Sequence, residues 1–287
     1  MVRRIPALEK SNFKIRYSQV EDVGRVEDIH HRSVRACLQY LKWTEPLTIT
    51  HDGDLPARSG IGSSSTFTVG LLQSLYALRG IRLSSGDLSR RAIYVEREVA
   101  KECVGYQDQI AAAVGGLNYI SFIRGGPVRV KSMTVPKETL HSLSAHCLLL
   151  YTGTHRDGPS LEKKKVSDMA SNGPILRRLQ SMVPEGYQAL KRRNWEDFGY
   201  LLNEAWSLKR SLNKGVSTSA IDNLYGLARK HGAWGGKVLG SGGGGFLLLF
   251  GPPNHHNNIL SSLPLSIQRV PFHFSQDGSQ IIYRRSE

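Results

Sequence analysis

Cysteine is scarce in this sequence, and long apolar runs are missing altogether. The 287 residues include three cysteines, Cys37, Cys103 and Cys147. They lie far apart and in no C-x-x-C pair, which argues against a disulfide framework and a cysteine metal site and points to a reducing compartment. No stretch approaches the ~20 apolar residues needed to cross a bilayer. The opening Met1-Val2-Arg3-Arg4-Ile5-Pro6 lacks the apolar core of a signal peptide. A cytoplasmic location is expected. Acidic residues are the minority charge, 24 against 38 Lys and Arg, for a net charge of +14. A surplus like that can serve nucleic acid. Here the basic residues are dispersed, and short clusters such as Lys163-Lys164-Lys165 and Lys191-Arg192-Arg193 fall in stretches predicted helical. Zinc-finger spacing, an aromatic-rich RNA-binding strand and a long basic tail are all absent. Neither nucleic acid nor a membrane is an expected partner.

What the chain has in quantity is glycine, 29 residues, concentrated at two informative places. The first is Gly60-Ile61-Gly62-Ser63-Ser64-Ser65, which runs into Thr66-Phe67-Thr68-Val69-Gly70-Leu71-Leu72. Phe67, Leu71, Leu75 and Leu78 recur at helical spacing, and Gly80 is placed to stop the helix. Pro46–His51 reads as a strand before it. The first N–H groups of a helix have no partner inside it, and its dipole makes that end electropositive. Glycines let a ligand approach, and serine hydroxyls can bond phosphate or Mg²⁺. The segment therefore reads as a phosphate cradle. It is not a Walker A loop, because no G-K-[ST] follows, nor a dinucleotide fingerprint, because the third glycine is missing.

The second place is Gly235–Gly245, followed by the apolar Phe246–Phe250 and then Gly251-Pro252-Pro253. Its formal G-x-G-x-x-G is followed by a strand and not a helix, which excludes a dinucleotide site. So glycine-rich a loop is expected to let a ligand or another loop come very close. Between the two lie candidate acids. Ser84 is expected to cap a helix whose stripe is Leu88, Ala92, Val95 and Val99, with Glu96 and Glu98 on its two borders. Helical geometry permits either acid to face a cleft and does not choose between them. Asp108, between two glutamines and ahead of the alanine-rich Ile110–Gly116, reads as a helix cap or a buried catalytic carboxylate.

Together these segments resemble the GHMP kinases. Asp54–Ser65 looks like their phosphate-binding motif and Lys237–Phe246 like their C-terminal glycine-rich motif. The Asp52–Gly60 run, Gly105–Gln109 and Tyr151–Arg156 resemble most closely the branch that phosphorylates D-glycero-D-manno-heptose 7-phosphate. The resemblance implies a two-domain α+β fold, with residues 1–145 and 146–287 as the two domains. The N-terminal half would be like the second domain of a ribosomal protein, with a left-handed β-α-β crossover, and the C-terminal half ferredoxin-like. Residues 174–232 have helical patterning, and Val270–Phe274 and Ile281–Tyr283 alternate like strands. ATP and Mg²⁺ are the implied cofactors, a sugar phosphate is the implied partner, and a homodimer is compatible with the reading.

The resemblance also assigns roles. Arg58, Ser59, Gly60, Ile61, Gly62, Ser63, Ser64 and Ser65 would bind nucleotide. Ser64 and Glu96 would hold Mg²⁺, Glu96 being chosen over Glu98 because related kinases place that carboxylate twelve residues before the motif aspartate. Asp108 would be catalytic, accepting or orienting the proton of the attacking hydroxyl. Arg156 and Lys209 would grip the substrate phosphate, joined by Gly242 and Gly243. Sister kinases acting on fucose, galactose or an octose phosphate share every one of these motifs. One departure stands out: the family's opening P-x-R-x-x-x-G-G-G-T-D-like segment has no counterpart, so the sequence reads as N-terminally shortened. An exposed sheet edge and weak activity are the expected consequences, and an inactive nucleotide-binding relative is a further alternative.

Overall fold

The computed structural model describes residues 1–7, 11–55, 59–153, 172–212 and 215–284. The chain forms two compact units. One takes the described residues of Met1–Ala57, Gly62–Ser132 and Ser275–Glu287; the other takes those of Arg58–Ile61 and Met133–Phe274. The polypeptide thus changes unit several times, where the sequence reading divided it once at 145/146.

In the first unit a four-stranded sheet has the order β1 (Val2–Arg4), β4 (Leu47–Thr50), β2 (Phe13–Arg16), β3 (Val20–Val23). β4 runs antiparallel to β1 and parallel to β2, so it is paired on both sides. Phe13 and Ile15 of β2 and Leu47 and Ile49 of β4 are buried, as the period of two requires of the core-facing positions. Against them pack α1 (Arg32–Tyr40) and α2 (Ser63–Leu78). Val69, Leu72 and Leu75 of α2 are fully buried, each contributing roughly 2 kcal/mol of transfer free energy. Gly80, with φ +75°, follows the helix as expected.

Ser84 caps α3 (Ser85–Tyr94) by accepting the Asp87 N–H at 3.0 Å. The short α4 (Gln107–Val114) leads to a hairpin, β5 (Asn118–Phe122) with β6 (Val128–Ser132), whose second strand is exposed throughout.

The second unit is built on an antiparallel sheet of order β10 (Gln268–Arg269), β7 (Cys147–Tyr151), β9 (Phe246–Phe250), β8 (Gly235–Val238). Its helices are α5 (Lys137–Ala145), α6 (Gly173–Arg192), α7 (Trp195–Leu212), α8 (Ser219–Lys230) and α9 (His256–Ser262). The patterning over 174–232 is therefore helical as expected. The tail corrects the sequence reading: neither Val270–Phe274 nor Ile281–Tyr283 forms a strand. Val270 N–H still donates to Leu149 C=O at 2.9 Å, but Pro271 has no N–H and the ladder stops there. Beyond it Ser275–Ser279 straps the end of α4: Gly116 N–H donates to Ser275 C=O at 3.1 Å, and Ser279 N–H to Ala112 C=O at 2.8 Å.

Candidate active site

α2 starts behind Gly62, whose φ of +75° is a left-handed conformation that glycine adopts at little cost. Among the described residues no side chain caps this helix, and its first internal bond is Thr66 N–H to Gly62 C=O at 2.9 Å. The N–H groups of Ser63, Ser64 and Ser65 precede that bond at the electropositive end of a 16-residue helix. The exposed Asp108, second residue of α4, lies against this end. A Cβ added to Gly62 would stand 3.2 Å from Asp108 Cγ and Oδ2, so a side chain there would crowd the carboxylate.

Behind them is Glu96. α3 runs on into a π-helical turn, Val95–Val99, closed by Ala100 N–H to Val95 C=O at 2.8 Å. The wider turn breaks the 100° step on which a helical wheel rests. It leaves Glu96 2% exposed, while Glu98 faces solvent beside Lys101 at 3.6 Å. Glu96 accepts hydrogen bonds from Ser65 Oγ at 2.9 Å, from Thr68 Oγ1 at 3.0 Å and from Gln109 Nε2. Burial raises its pKa above the usual carboxylate value; the three hydrogen bonds oppose that, and the nearby Asp108 charge adds to it.

Ser65 and Thr68, three apart on α2, share the face that meets Glu96. Ser64 lies on the exposed face, so the hydroxyl at Glu96 belongs to the residue after the one singled out in the sequence. Thr68 and Gln109 were not singled out at all. Their signal was helical spacing from Ser65 and adjacency to Asp108.

The glycine-rich loop 239–245 packs on another loop in the second unit. Gly240, φ +65°, meets Gly60, φ +84°, so closely that a Cβ on Gly240 would lie 2.6 Å from Gly60 Cα. Gly245 lies against the Ser59 carbonyl, and Ser59 is buried with its hydroxyl unpartnered among the described residues. Gly243 N–H donates to Val216 C=O at 2.9 Å, and a side chain on Gly242 would meet that same carbonyl. Lys209 Nζ donates to Gly240 C=O at 2.8 Å. The structure thus gathers Gly60, Gly240 and Lys209 in one place, and Gly62, Asp108, Glu96 and Ser65 in another. Arg58 and Arg156 lie outside the described residues.

Glu96 and Asp108 have no ion-pair partner among the described residues, and the Asp108 charge disfavours the ionised form of Glu96. Carboxylate and hydroxyl oxygens are the donors a hard divalent cation takes. Glu96, Asp108 and Ser64 carry oxygen donors of that kind, and among the described residues no group of three or more His, Cys, Asp or Glu is placed to hold a metal ion.

Comparison with known proteins bears on the family and the fold. Family models of the GHMP kinases N terminal domain and of the GHMP kinases C terminal match residues 28–116 and 187–265. The chain is 27% identical over 191 residues to D-glycero-alpha-D-manno-heptose 7-phosphate kinase of Campylobacter jejuni, a match covering 66% of this chain and only 56% of that protein. It is 32% identical over 231 residues to mevalonate kinase of Methanothermobacter thermautotrophicus, covering 79% of this chain and 71% of the relative. Its fold superposes on the crystal structure of a D-glycero-D-manno-heptose 1-phosphate kinase from Bacteroides thetaiotaomicron with a TM-score of 0.73 at 22% identity, over 99% of this chain and 86% of the other. With both family models matched and the two-domain α+β fold in place, this chain belongs to the GHMP kinase family.

Proposed function

We propose that the protein is an ATP-dependent sugar kinase that phosphorylates the anomeric hydroxyl of a heptose 7-phosphate to give the 1,7-bisphosphate. The observation that carries this is the exposed Asp108 carboxylate against Gly62, at the uncapped end of α2, with Glu96 held behind it. The likeness to a heptose 7-phosphate kinase supports the choice of sugar. In this reading the N–H groups that follow Gly60 bind the β- and γ-phosphates, with Arg58 through Ser65 forming the nucleotide loop. Asp108 accepts or orients the proton of the attacking hydroxyl. Glu96 and Ser64 hold Mg²⁺, which when bound neutralises charge on the phosphates. Arg156 and Lys209, with Gly242 and Gly243, receive the 7-phosphate.

A second acceptor is favoured by one observation, the 32% identity to a mevalonate kinase. Steady-state kinetics with ATP and a panel of heptose 7-phosphate, free heptose, galactose, fucose and mevalonate separates the two. The heptose phosphate is expected to exceed every other acceptor in kcat/KM by at least about 100-fold, because the charge-assisted hydrogen bonds made to its phosphate are lost with an acceptor that lacks one. Preference for mevalonate or for a free sugar would overturn the assignment.

A further inference from the structure

Gln109 is 0% exposed and donates through Nε2 to Glu96, while its Oε1 is buried with no hydrogen-bond partner among the described residues. A buried amide oxygen without a donor destabilises a fold, and an apolar side chain of the same size would avoid that penalty. The amide at this position is therefore explained by what its N–H does and not by packing.

Three donors hold the Glu96 carboxylate, and they differ in kind. The Ser65 and Thr68 hydroxyls rotate about a single bond and can turn away, whereas the glutamine amide is planar and its N–H direction is set by the buried side chain. Oε2 takes two hydrogen bonds, from Ser65 and Gln109, and Oε1 takes one, from Thr68. Oε1 is thus the oxygen with capacity left for a cation. Gln109 also follows Asp108 in the first turn of α4, so one helical turn sets the placement of both acids.

We propose that Gln109 is a positioning residue that locks the Glu96 carboxylate with Oε1 presented to the nucleotide-bound divalent cation. This rests on the reading of Glu96 as a metal ligand. The full chain is tested as Gln109→Met, which keeps the size and loses the donor, as Gln109→Asn, which keeps the amide one methylene short, and as Glu96→Gln. Mn²⁺ affinity is read by electron paramagnetic resonance with a non-hydrolysable ATP analogue, beside the thermal midpoint and the Mg²⁺ dependence of turnover. Both Gln109 variants are expected to weaken Mn²⁺ binding at least about 10-fold, the usual reach of a group that orients a ligand. Gln109→Met is expected to melt at or above the wild-type temperature. Unchanged Mn²⁺ affinity in both Gln109 variants, with Glu96→Gln weakened, overturns the role of Gln109 alone. Unchanged affinity in Glu96→Gln overturns the metal reading beneath it. Should Gln109→Met fail to fold, Gln109→Asn decides by the same criterion. Losses that track the melting temperature across both variants would make Gln109 a packing residue and overturn the proposal.

Discussion

Burial of the Glu96 carboxyl disfavours its ionised form, and the donors Ser65, Thr68 and Gln109 offset only part of that, so its folded pKa lies above the ordinary 4.5. For an acid whose pKa is raised on folding, stability is fullest below the unfolded value and falls as pH climbs through the folded one. Each unit of elevation costs about 1.4 kcal/mol once the group is ionised. Glu96→Gln is therefore expected to melt higher than wild type at neutral pH, and the gap is expected to close as pH falls toward about 4.5. Thermal melts of both proteins across that range check it. A gap independent of pH would mean that Glu96 ionises without penalty. A buried acid whose charged form is disfavoured is a candidate functional group.

Among the elements, the contact of Gly60 with Gly240 ties two glycine segments together. Gly125 has nearly the same backbone, φ +68° against +65°, but nothing lies within 4 Å of where its Cβ would stand. Gly125→Ala should cost about 1 kcal/mol, for left-handed strain alone. Gly240→Ala adds a Cβ 2.6 Å from Gly60 backbone and is expected to cost about 2–3 kcal/mol more, read from urea unfolding midpoints. Equal costs would show that the loop yields freely. The elements also show where sequence reading succeeds. α2 and α3 were legible because apolar spacing, Gly80 and the Ser84 cap agree with one another. The choice between Glu96 and Glu98 was not legible from a wheel, because the π-helical turn abandons its period. The tail misled because alternation in Val270–Phe274 looks like a strand, while Pro271 withholds the next ladder bond. Ser65 was hidden behind Ser64 because the face an N-terminal turn presents depends on where the helix starts.

Taken whole, the chain joins two α+β units with the fold of the GHMP kinases, and among the described residues no helix is long and apolar enough to cross a membrane. Its net charge of +14 suits reactants that carry phosphate. In the four-stranded sheet β1 and β3 are the edge strands, and β6 of the hairpin is exposed along its length. The glycine motifs announced phosphate chemistry from the sequence, but the sugar depends on side-chain placement that motifs do not encode. In the proposed reaction Asp108 drives phosphorylation at the anomeric oxygen. The most direct measurement is ³¹P nuclear magnetic resonance of heptose 7-phosphate and Mg·ATP with wild type and Asp108→Asn. Wild type should yield a second sugar phosphate resonance coupled to the anomeric proton. Asp108→Asn, still folded, should form it roughly 10²–10⁴-fold more slowly. No anomeric phosphate from the wild type, or an equal rate from the variant, would contradict the account.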